Sequence, residues 1–521
     1  MATQKINIVL PPEIAYDEER LLRHLCRISS VSPADVGGMR ILSRSIDARQ
    51  RQIKVQITAE LYVGEPKPAL SYPAPEYHDV TAAKHSVVVV GSGPAGLFAA
   101  LHLLEHGVKP IILERGADVS QRKIDIAQIN RNVALNANSN YCFGEGGAGT
   151  FSDGKLYTRS NKRGNIHRIL EIFHYHGAAD SILYEAHPHI GSDRLPSIIR
   201  HMRQTILDCG GGFHFRAQVE RLLIKDGAVI GCRTTDGGEY HADAVILATG
   251  HSAHDIYGML LEQGLPLESK GFAIGVRAEH PQALIDSIQY HRAGRGPYLP
   301  AAAYRLVTQA SGRGVYSFCM CPGGHIVPAS TEPELCVVNG MSASHRNSPY
   351  ANSGIVVEVR PEDIPAEFTK HGALAGLMYQ RHIERLARKA AKGQPFAAPA
   401  QRLADFCKGR LSATLPQCSF VPGIVSSPMH EWMPEGIRTR LQMGFSDFDR
   451  KMRGYMTREA VIVGVESRSS SPVRIPRDGD TLQHITCQRL YPAGEGAGYA
   501  GGITSSAMDG INVAQKIIAA L

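Results

Sequence analysis

The sequence lacks several features that would restrict its location or its partners. The first eight residues contain no apolar signal core, so we expect a cytoplasmic protein. The ten cysteines are scattered, which favours reduced thiols over a disulfide framework. No internal repeat and no low-complexity tract occurs in the sequence. The net charge of +7 is mild for 521 residues and diffuse, so we do not expect a nucleic-acid partner.

Length and composition are those of an ordinary globular protein. Hydrophobic residues make up 43% of the chain and charged residues 20%. A chain of 521 residues holds about three domains. Strict alternation from Ile53 to Val63 and a helical pattern over 18–28 predict a small α+β domain in residues 1–64. Four prolines indicate a linker over 65–82.

The most informative segment is VVVVGSGPAG, residues 87–96. The valine run predicts a buried parallel strand, and the glycines after it predict a tight turn followed at once by a helix. A second short strand ends at an acid that can accept hydrogen bonds from a ribose. This order predicts a dinucleotide site with its pyrophosphate at the helix N-terminus. The residues assigned to it are Gly91, Gly93, Pro94, Ala95, Gly96, Glu114 and Arg115.

The choice of dinucleotide depends on Glu114 and on a second motif. Glu114 suits a free ribose 2′-hydroxyl, which FAD and NAD share and NADP lacks. The second motif, YPAGEGAGYAGGI, spans residues 491–503. The second motif resembles a signature of glutathione-reductase-type flavoproteins, which points to FAD. The resemblance implies that Glu495 holds the ribitol chain and that the following helix directs its N-terminus at the flavin. The residues it assigns are Gly494, Glu495, Gly502 and Ile503.

Two further segments resemble parts of the same flavoproteins. Ala248-Thr249-Gly250 resembles the motif that crosses near the dinucleotide, and the strand containing Val219 resembles the one beside adenine. In the glycine-rich loop 143–155, the resemblance implies flavin contacts at Gly147, Gly149 and Thr150. No second complete glycine motif and no CxxC pair near the flavin segments occurs, which argues against a separate NAD(P)H domain and a disulfide-reductase layout.

Residues 83–521 resemble a family of bacterial FAD-dependent dehydrogenases that is mostly uncharacterised. The resemblance implies an α/β fold with a Rossmann-like FAD-binding domain built from discontinuous segments, 83–260 and 456–521. Residues 261–455 lack its motifs and are predicted to form an inserted α+β substrate domain. The small α+β domain 1–64 also fits that family.

Three residues are candidates for catalysis. Lys155 could lie near flavin N5 or the substrate, and His325 beside two glycines could transfer protons. Arg468 could clamp an anion or equally form an internal ion pair with Glu466. Cys319 and Cys321 could form a redox pair, or could be two buried thiols. With His325 they lack a fourth ligand at a recognisable spacing, so no metal is predicted.

The sequence therefore predicts an FAD-dependent oxidoreductase that moves hydride or electrons between flavin and a small organic substrate. NAD(P)H or a protein could serve as electron donor, and no membrane association is expected. A flavin monooxygenase is a second hypothesis. A third is a flavin-bearing RNA- or protein-interaction factor that uses the arginines of the N-terminal domain.

Overall fold

The computed structural model describes residues 3–70, 72–157 and 164–521. Its first part is a three-stranded antiparallel sheet of order β1-β3-β2 with two helices packed on it. The alternating residues of the last strand bury one face against these helices, as its period of two predicts. The elements are β1 (Gln4–Leu10), α1 (Pro12–Ala15), α2 (Glu18–Ile28), β2 (Val36–Asp47) and β3 (Lys54–Val63).

The segment after residue 83 alternates strands and helices. Four of its strands join one parallel sheet, and three others form a separate antiparallel sheet of order β7-β8-β9. The elements are β4 (Ser86–Val90), α3 (Pro94–Glu105), β5 (Lys109–Glu114), α4 (Val119–Asn130), α5 (Ile166–Tyr175), α6 (Leu195–Asp208), β6 (Gly212–Phe215), β7 (Val219–Lys225), β8 (Ala228–Thr234), β9 (Glu239–His241), β10 (Ala244–Leu247) and α7 (His254–Glu262).

The next segment is built around a seven-stranded sheet of order β13-β14-β17-β12-β20-β18-β19. Its pairings are antiparallel except for β18 with β19. The elements are β11 (Glu268–Ser269), β12 (Phe272–Pro281), α8 (Gln282–Tyr290), β13 (Val307–Ala310), β14 (Arg313–Cys321), β15 (Gly324–Pro328), β16 (Val338–Ser342), β17 (Tyr350–Val359), α9 (Ala366–Thr369), α10 (Ala375–Ala390), β18 (Ala398–Arg402), α11 (Leu403–Cys407), β19 (Ile424–Ser426), α12 (Met429–Trp432), α13 (Glu435–Lys451) and β20 (Val461–Glu466).

The chain then returns to the parallel sheet through β21 (Val473–Arg474), β22 (Leu490–Pro492) and α14 (Ile503–Ile518). The completed sheet has the order β22-β10-β4-β5-β6, with every neighbouring pair parallel. The predicted α/β fold with a discontinuous Rossmann-like domain is confirmed. Helix α3 packs between this sheet and α14, which explains why nine of its residues are buried.

The predicted domain boundary at residue 455 is wrong. Strand β20 pairs with β12 and β18, so it belongs to the seven-stranded sheet and not to the parallel one. All six of its residues are buried, and all but the last are apolar. Such a run fits a central strand of either sheet. Sequence alone therefore could not decide which sheet receives it.

Arg44 joins the N-terminal domain to the segment that carries the parallel sheet. Its backbone N–H donates to the Tyr184 carbonyl at 2.9 Å, and its Nε donates to the Glu185 carboxylate at 2.8 Å. This arginine is therefore committed to an interdomain contact. Among the described residues, none of the helices has both the length and the apolar character needed to cross a bilayer.

Candidate functional site

A cavity of about 380 Å³ lies at the carboxyl ends of the parallel strands. In open α/β sheets this edge is where ligands bind. The first helix, α3, begins at this cavity, because Gly93, Pro94 and Ala95 line it. The unpaired N–H groups of a helix start favour an anion, so this wall is suited to a phosphate.

The turn before α3 requires glycine. Gly91 has φ of +102°, and a Cβ there would stand 2.5 Å from the Ala248 carbonyl oxygen. A Cβ at Gly96 would stand 2.0 Å from the Gly91 carbonyl oxygen. Gly96 does not line the cavity, and its role is the close packing of α3 on the turn.

Glu114 holds the cradle together from the end of β5. One carboxylate oxygen accepts from the Ser92 N–H at 3.0 Å and from its hydroxyl at 2.7 Å. The other accepts from the N–H groups of Gly116 at 2.9 Å and Gly144 at 3.1 Å. These four bonds fill the usual lone-pair sites of a carboxylate. A ribose hydroxyl would therefore replace the Ser92 hydroxyl, which can rotate away, while the backbone donors stay.

The second helix that begins at the cavity is α14. Gly502, Ile503 and Thr504 line the cavity at its N-terminus, and Glu495 and Gly494 line it just after β22. The Glu495 carboxylate lies 3.3 Å from His251 Nδ1, which follows the Thr249–Gly250 turn on the same wall. Two helix N-termini thus face one elongated cavity, which suits an anion at each.

The glycine-rich loop lies between the two helix starts. A Cβ at Gly149 would stand 3.2 Å from Ile503 Cγ1 of α14 and 3.6 Å from Pro94 Cγ of α3. Gly147 and Gly149 line the cavity. The same loop continues to Asp153 and Lys155, which also line it. The loop therefore connects the cradle to the part of the cavity next to the seven-stranded sheet.

That part of the cavity is lined from the seven-stranded sheet by Phe318 and Cys319 of β14, and from the neighbouring β16 by Asn339. Asp153 of the loop pairs with Arg346, with Nε 3.1 Å from the carboxylate. Burial opposes ionisation of Asp153, but Arg346 and Lys155 outweigh it and hold its pKa below the usual value. In the described part of the chain no carboxylate forms an ion pair with Lys155.

Comparison with known proteins identifies the domains. Residues 85–259 match the pyridine nucleotide-disulphide oxidoreductase model, 271–469 match the model "FAD-dependent protein, C-terminal domain-like", and 2–62 match a domain of unknown function. An uncharacterised protein of Clostridium beijerinckii is 40% identical, over 98% of this chain and 97% of its own length. The chain belongs to this family of FAD-dependent oxidoreductases.

Solved structures align with this flavoprotein only at low similarity. A geranylgeranyl bacteriochlorophyll reductase-like protein from Thermoplasma acidophilum aligns at 12% identity and a TM-score of 0.35, over 84% of this chain and 78% of that one. A putative FAD-containing monooxygenase from Photorhabdus luminescens aligns at 11% identity and 0.36, over 84% and 89%. Similarity at this level supports no inference about the reaction of this chain.

The cofactor of this flavoprotein is FAD, and the cavity fits it. One helix start with its glycine turn suits the pyrophosphate, and the other suits negative charge on the reduced ring system. Most of the residues predicted to bind FAD line the cavity: Gly91, Gly93, Pro94, Ala95, Glu114, Arg115, Gly147, Gly149, Val219, Thr249, Gly250, Gly494, Glu495, Gly502 and Ile503. Their individual contacts to FAD stay predictions.

Two of the residues predicted to bind FAD lie behind the wall. Gly96 packs α3 on its turn, and Thr150 is fully buried, with its hydroxyl donating to the Glu145 carbonyl at 2.8 Å. Both shape the flavoprotein cavity without lining it. Arg115 lines it and pairs with Asp255 at 2.7 Å, which fixes the guanidinium over the Phe143 ring.

The structure separates the three predicted catalytic residues. Lys155 and Arg468 line the cavity, but His325 does not. The His325 side chain is exposed in the burial pattern of β15, opposite Met341 in the pairing with β16. Because His325 does not line the cavity, its position does not favour a role together with the other two, and that role stays a prediction.

Arg468 is buried, and its ion-pair partner is Glu384 of α10 at 3.2 Å, not Glu466 as the alternative predicted. It also donates to the hydroxyls of Ser252 and Thr331, each at 3.1 Å. Its donors are therefore largely used within the protein. Glu466 instead accepts from the Arg277 Nε at 2.8 Å.

Sequence reasoning missed the buried ion pair between Arg277 and Glu466. Arg277 is fully buried in β12, within the run FAIGVRAEH, and Glu466 is 2% exposed. A cation directly after the apolar run FAIGV is a signal that could have found it, because a buried charge requires a partner. Arg277 also reaches the wall of the cavity, since its Nη atoms lie 3.4 Å from the Cys319 carbonyl oxygen.

Proposed function

We propose that this flavoprotein is a dehydrogenase or reductase acting on a small organic substrate with a carboxylate or polarised carbonyl group. Bound FAD supplies two-electron hydride chemistry. The observation that supports the proposal is the continuity of one cavity from the dinucleotide cradle to the wall formed by Lys155, Cys319 and Asn339. A substrate on that wall would lie next to the flavin end of the cavity.

Lys155 is the proposed binding group. Its ammonium has no carboxylate partner in the described residues, whereas the nearby Asp153 is neutralised by Arg346. Among Lys155, Arg346 and Asp153, the positive charge of Lys155 is therefore the one that no carboxylate neutralises. A substrate oxygen that carries or develops negative charge would receive a charge-assisted hydrogen bond there, which is about twice as strong as a neutral one.

Arg468 is proposed to position the wall and not to clamp the substrate. Its guanidinium joins α10 to the loops that carry Ser252 and Thr331, through one ion pair and two hydroxyl contacts. These contacts fix the cavity edge at which it lies. The proton of the reaction would come from Lys155 or from water in the cavity, since His325 is exposed on another face.

The test is anaerobic stopped-flow reduction of the holoenzyme by NADH or NADPH, followed by mixing with a panel of 2-oxo acids and 2-enoic acids. We expect one nucleotide to bleach the flavin band and one acid to restore it. Lys155→Met should slow the second step about 10- to 100-fold, because it removes one hydrogen bond of about 1.5–3 kcal/mol. Lys123→Met, on the exposed face of α4, is the matched control and should leave the rate unchanged.

Three results would contradict the proposal. Equal rates for Lys155→Met and the unaltered protein would remove Lys155 from substrate binding. Reoxidation by dioxygen alone, with a hydroxylated product, would instead support a monooxygenase. Salt-sensitive RNA binding by the full chain, without turnover of any acid, would support an interaction factor.

A further inference from the structure

Cys319 and Cys321 lie at the end of β14, where that strand is irregular. In the pairing of β14 with β17, Phe318 is opposite Gly354 and Cys321 is opposite Asn352, so β14 has one extra residue. Cys319 lies in this bulge and has φ of +46°, a left-handed value that is rare for a non-glycine residue. Bulges occur next to active sites because they redirect a side chain.

The bulge gives the two thiols different surroundings. Cys319 is partly exposed and lines the cavity, whereas Cys321 is fully buried behind it. The Cys321 Sγ lies 3.4 Å from the Cys319 carbonyl oxygen and 3.8 Å from Arg277 Nη1. An accessible thiol backed by a buried one is the arrangement of an attacking and a resolving cysteine.

The pKa values of the two thiols are shifted in opposite directions, and the accessible thiol has the lower one. A hydrogen bond from Cys321, followed by the charges of Lys155 and Arg277, outweighs burial and lowers the pKa of Cys319 to about 5. That hydrogen bond and burial raise the pKa of Cys321 well above its ordinary value. The pKa of Cys319 is thus the lower of the two, which makes Cys319 the more nucleophilic thiol of the pair.

Other cysteines of the chain do not share this environment. Burial raises the pKa of Cys232, Cys336 and Cys407 to about 12. Such thiols are inert structural residues. Cys142 also lines the cavity, but it has no second cysteine beside it in the sequence. The reactive features are thus combined at Cys319 and Cys321.

We propose that Cys319 and Cys321 are a second redox centre, which forms a reversible disulfide in exchange with the bound FAD. The proposal rests on the cofactor and not on the substrate class proposed above. Two strand residues span about 6.6 Å, close to the upper limit for a disulfide of about 6.8 Å. The bulge at Cys319 shortens this span by curving the strand.

The step balances without any other reactant. The Cys319 thiolate and the Cys321 thiol lose two electrons and form one S–S bond, while the Cys321 S–H bond breaks. Oxidised FAD takes up the two electrons and that proton and becomes the reduced anion. The reverse step reduces the disulfide. The holoenzyme would therefore hold four electrons, two on the flavin and two on the cysteine pair.

The test is an anaerobic dithionite titration of the holoenzyme after oxidation with ferricyanide. We expect four electrons per FAD for the unaltered protein and two for Cys319→Ser and Cys321→Ala. Cys209→Ser is the control, because Cys209 lies at the C-terminal end of α6 and does not line the cavity, and this variant should keep four. Alkylation after denaturation should label eight of the ten cysteines in the oxidised protein and all ten in the reduced protein.

Two electrons per FAD in the unaltered protein would overturn the proposal, even if either variant failed to fold. A disulfide mapped by peptide sequencing to cysteines other than 319 and 321 would also overturn it. A failure to turn over organic acids would leave the electron count unchanged, so the two proposals fail separately.

Discussion

Replacing Arg277 tests how strongly the seven-stranded sheet depends on its buried ion pair. Arg277→Met would leave Glu466 buried with its charge unpaired, because both side chains are at most 3% exposed. Breaking one partner of such a pair costs about 3–5 kcal/mol. With a melting shift of about 2–4 °C per kcal/mol for a domain of this size, we expect a loss of about 6–20 °C.

The double variant Arg277→Met with Glu466→Leu separates the two effects that the single variant combines. Replacing both partners by apolar residues removes the unpaired charge, so the double variant should recover most of the melting temperature. Differential scanning calorimetry of the holoenzyme at pH 7.5 measures both. A double variant as unstable as the single one would refute the reasoning, as would a single variant that melts within 2 °C of the unaltered protein.

The pH dependence of Arg277→Met provides a further check. Burial is the largest influence on Glu466 and raises its pKa, and Arg277 opposes this. Without Arg277 the folded-state pKa rises further above the unfolded value, so the folded protein binds the extra proton more readily. The stabilisation from that proton is present at low pH and is lost as pH rises through the folded pKa. The variant should therefore lose less melting temperature at pH 5.5 than at pH 7.5.

Three further predictions concern the cofactor cradle and the cysteine pair. Glu114→Ala should purify with a reduced flavin-to-protein ratio, because four hydrogen bonds that join the walls of the cradle are lost; an unchanged ratio would contradict this. Gly96→Ala should destabilise the protein by about 1–3 kcal/mol in urea unfolding, since its Cβ would stand 2.0 Å from the Gly91 carbonyl oxygen, whereas the Cβ of the control Gly258→Ala, within α7, meets no atom within 4 Å. Cys321→Ala should move the pH midpoint of Cys319 alkylation by iodoacetamide upward from about 5, because the hydrogen bond that lowers this pKa most is removed. An unmoved midpoint would assign the low pKa to Lys155 and Arg277 alone.

The dinucleotide cradle could be predicted from the sequence because its determinants are local. The valines of β4, the glycine turn and the start of α3 follow one another within ten residues, and each follows from backbone geometry. The C-terminal acid and helix were found by resemblance, and the cavity brings them to the same site. The hydrogen-bond donors of Glu114 could not be predicted from this pattern, because one of them, Gly144, lies in a loop thirty residues further along the chain.

The charged pairs around the substrate wall could not be predicted from spacing. Arg468 finds its partner on α10 and Arg277 finds its partner on β20, so each pair depends on which elements the fold brings together. Glu466 is closer to Arg468 in sequence than Glu384 is. It lies on β20, however, where its buried carboxylate accepts a hydrogen bond from Arg277. Contacts between elements distant in sequence, and not local propensity, decide both cases.

The bulge in β14 was equally hidden in the sequence. In a regular strand, residues two apart point to the same face, so Cys319 and Cys321 would both line the cavity or both be buried. The extra residue breaks that rule and leaves one thiol in the cavity and one behind it. The bulge is thus what converts two equivalent cysteines into an unequal pair.

Lys155 links the substrate proposal to the cysteine proposal, because both use its charge. In the reduced pair its ammonium helps to stabilise the Cys319 thiolate, and in the disulfide it is released to bind an anionic substrate. An anionic substrate should therefore bind more tightly to the oxidised pair, and by linkage its binding should favour the disulfide. Two electrons would then leave the cysteines for the flavin when the substrate that consumes them arrives. A single lysine would thus couple the occupancy of the cavity to the distribution of electrons within the protein.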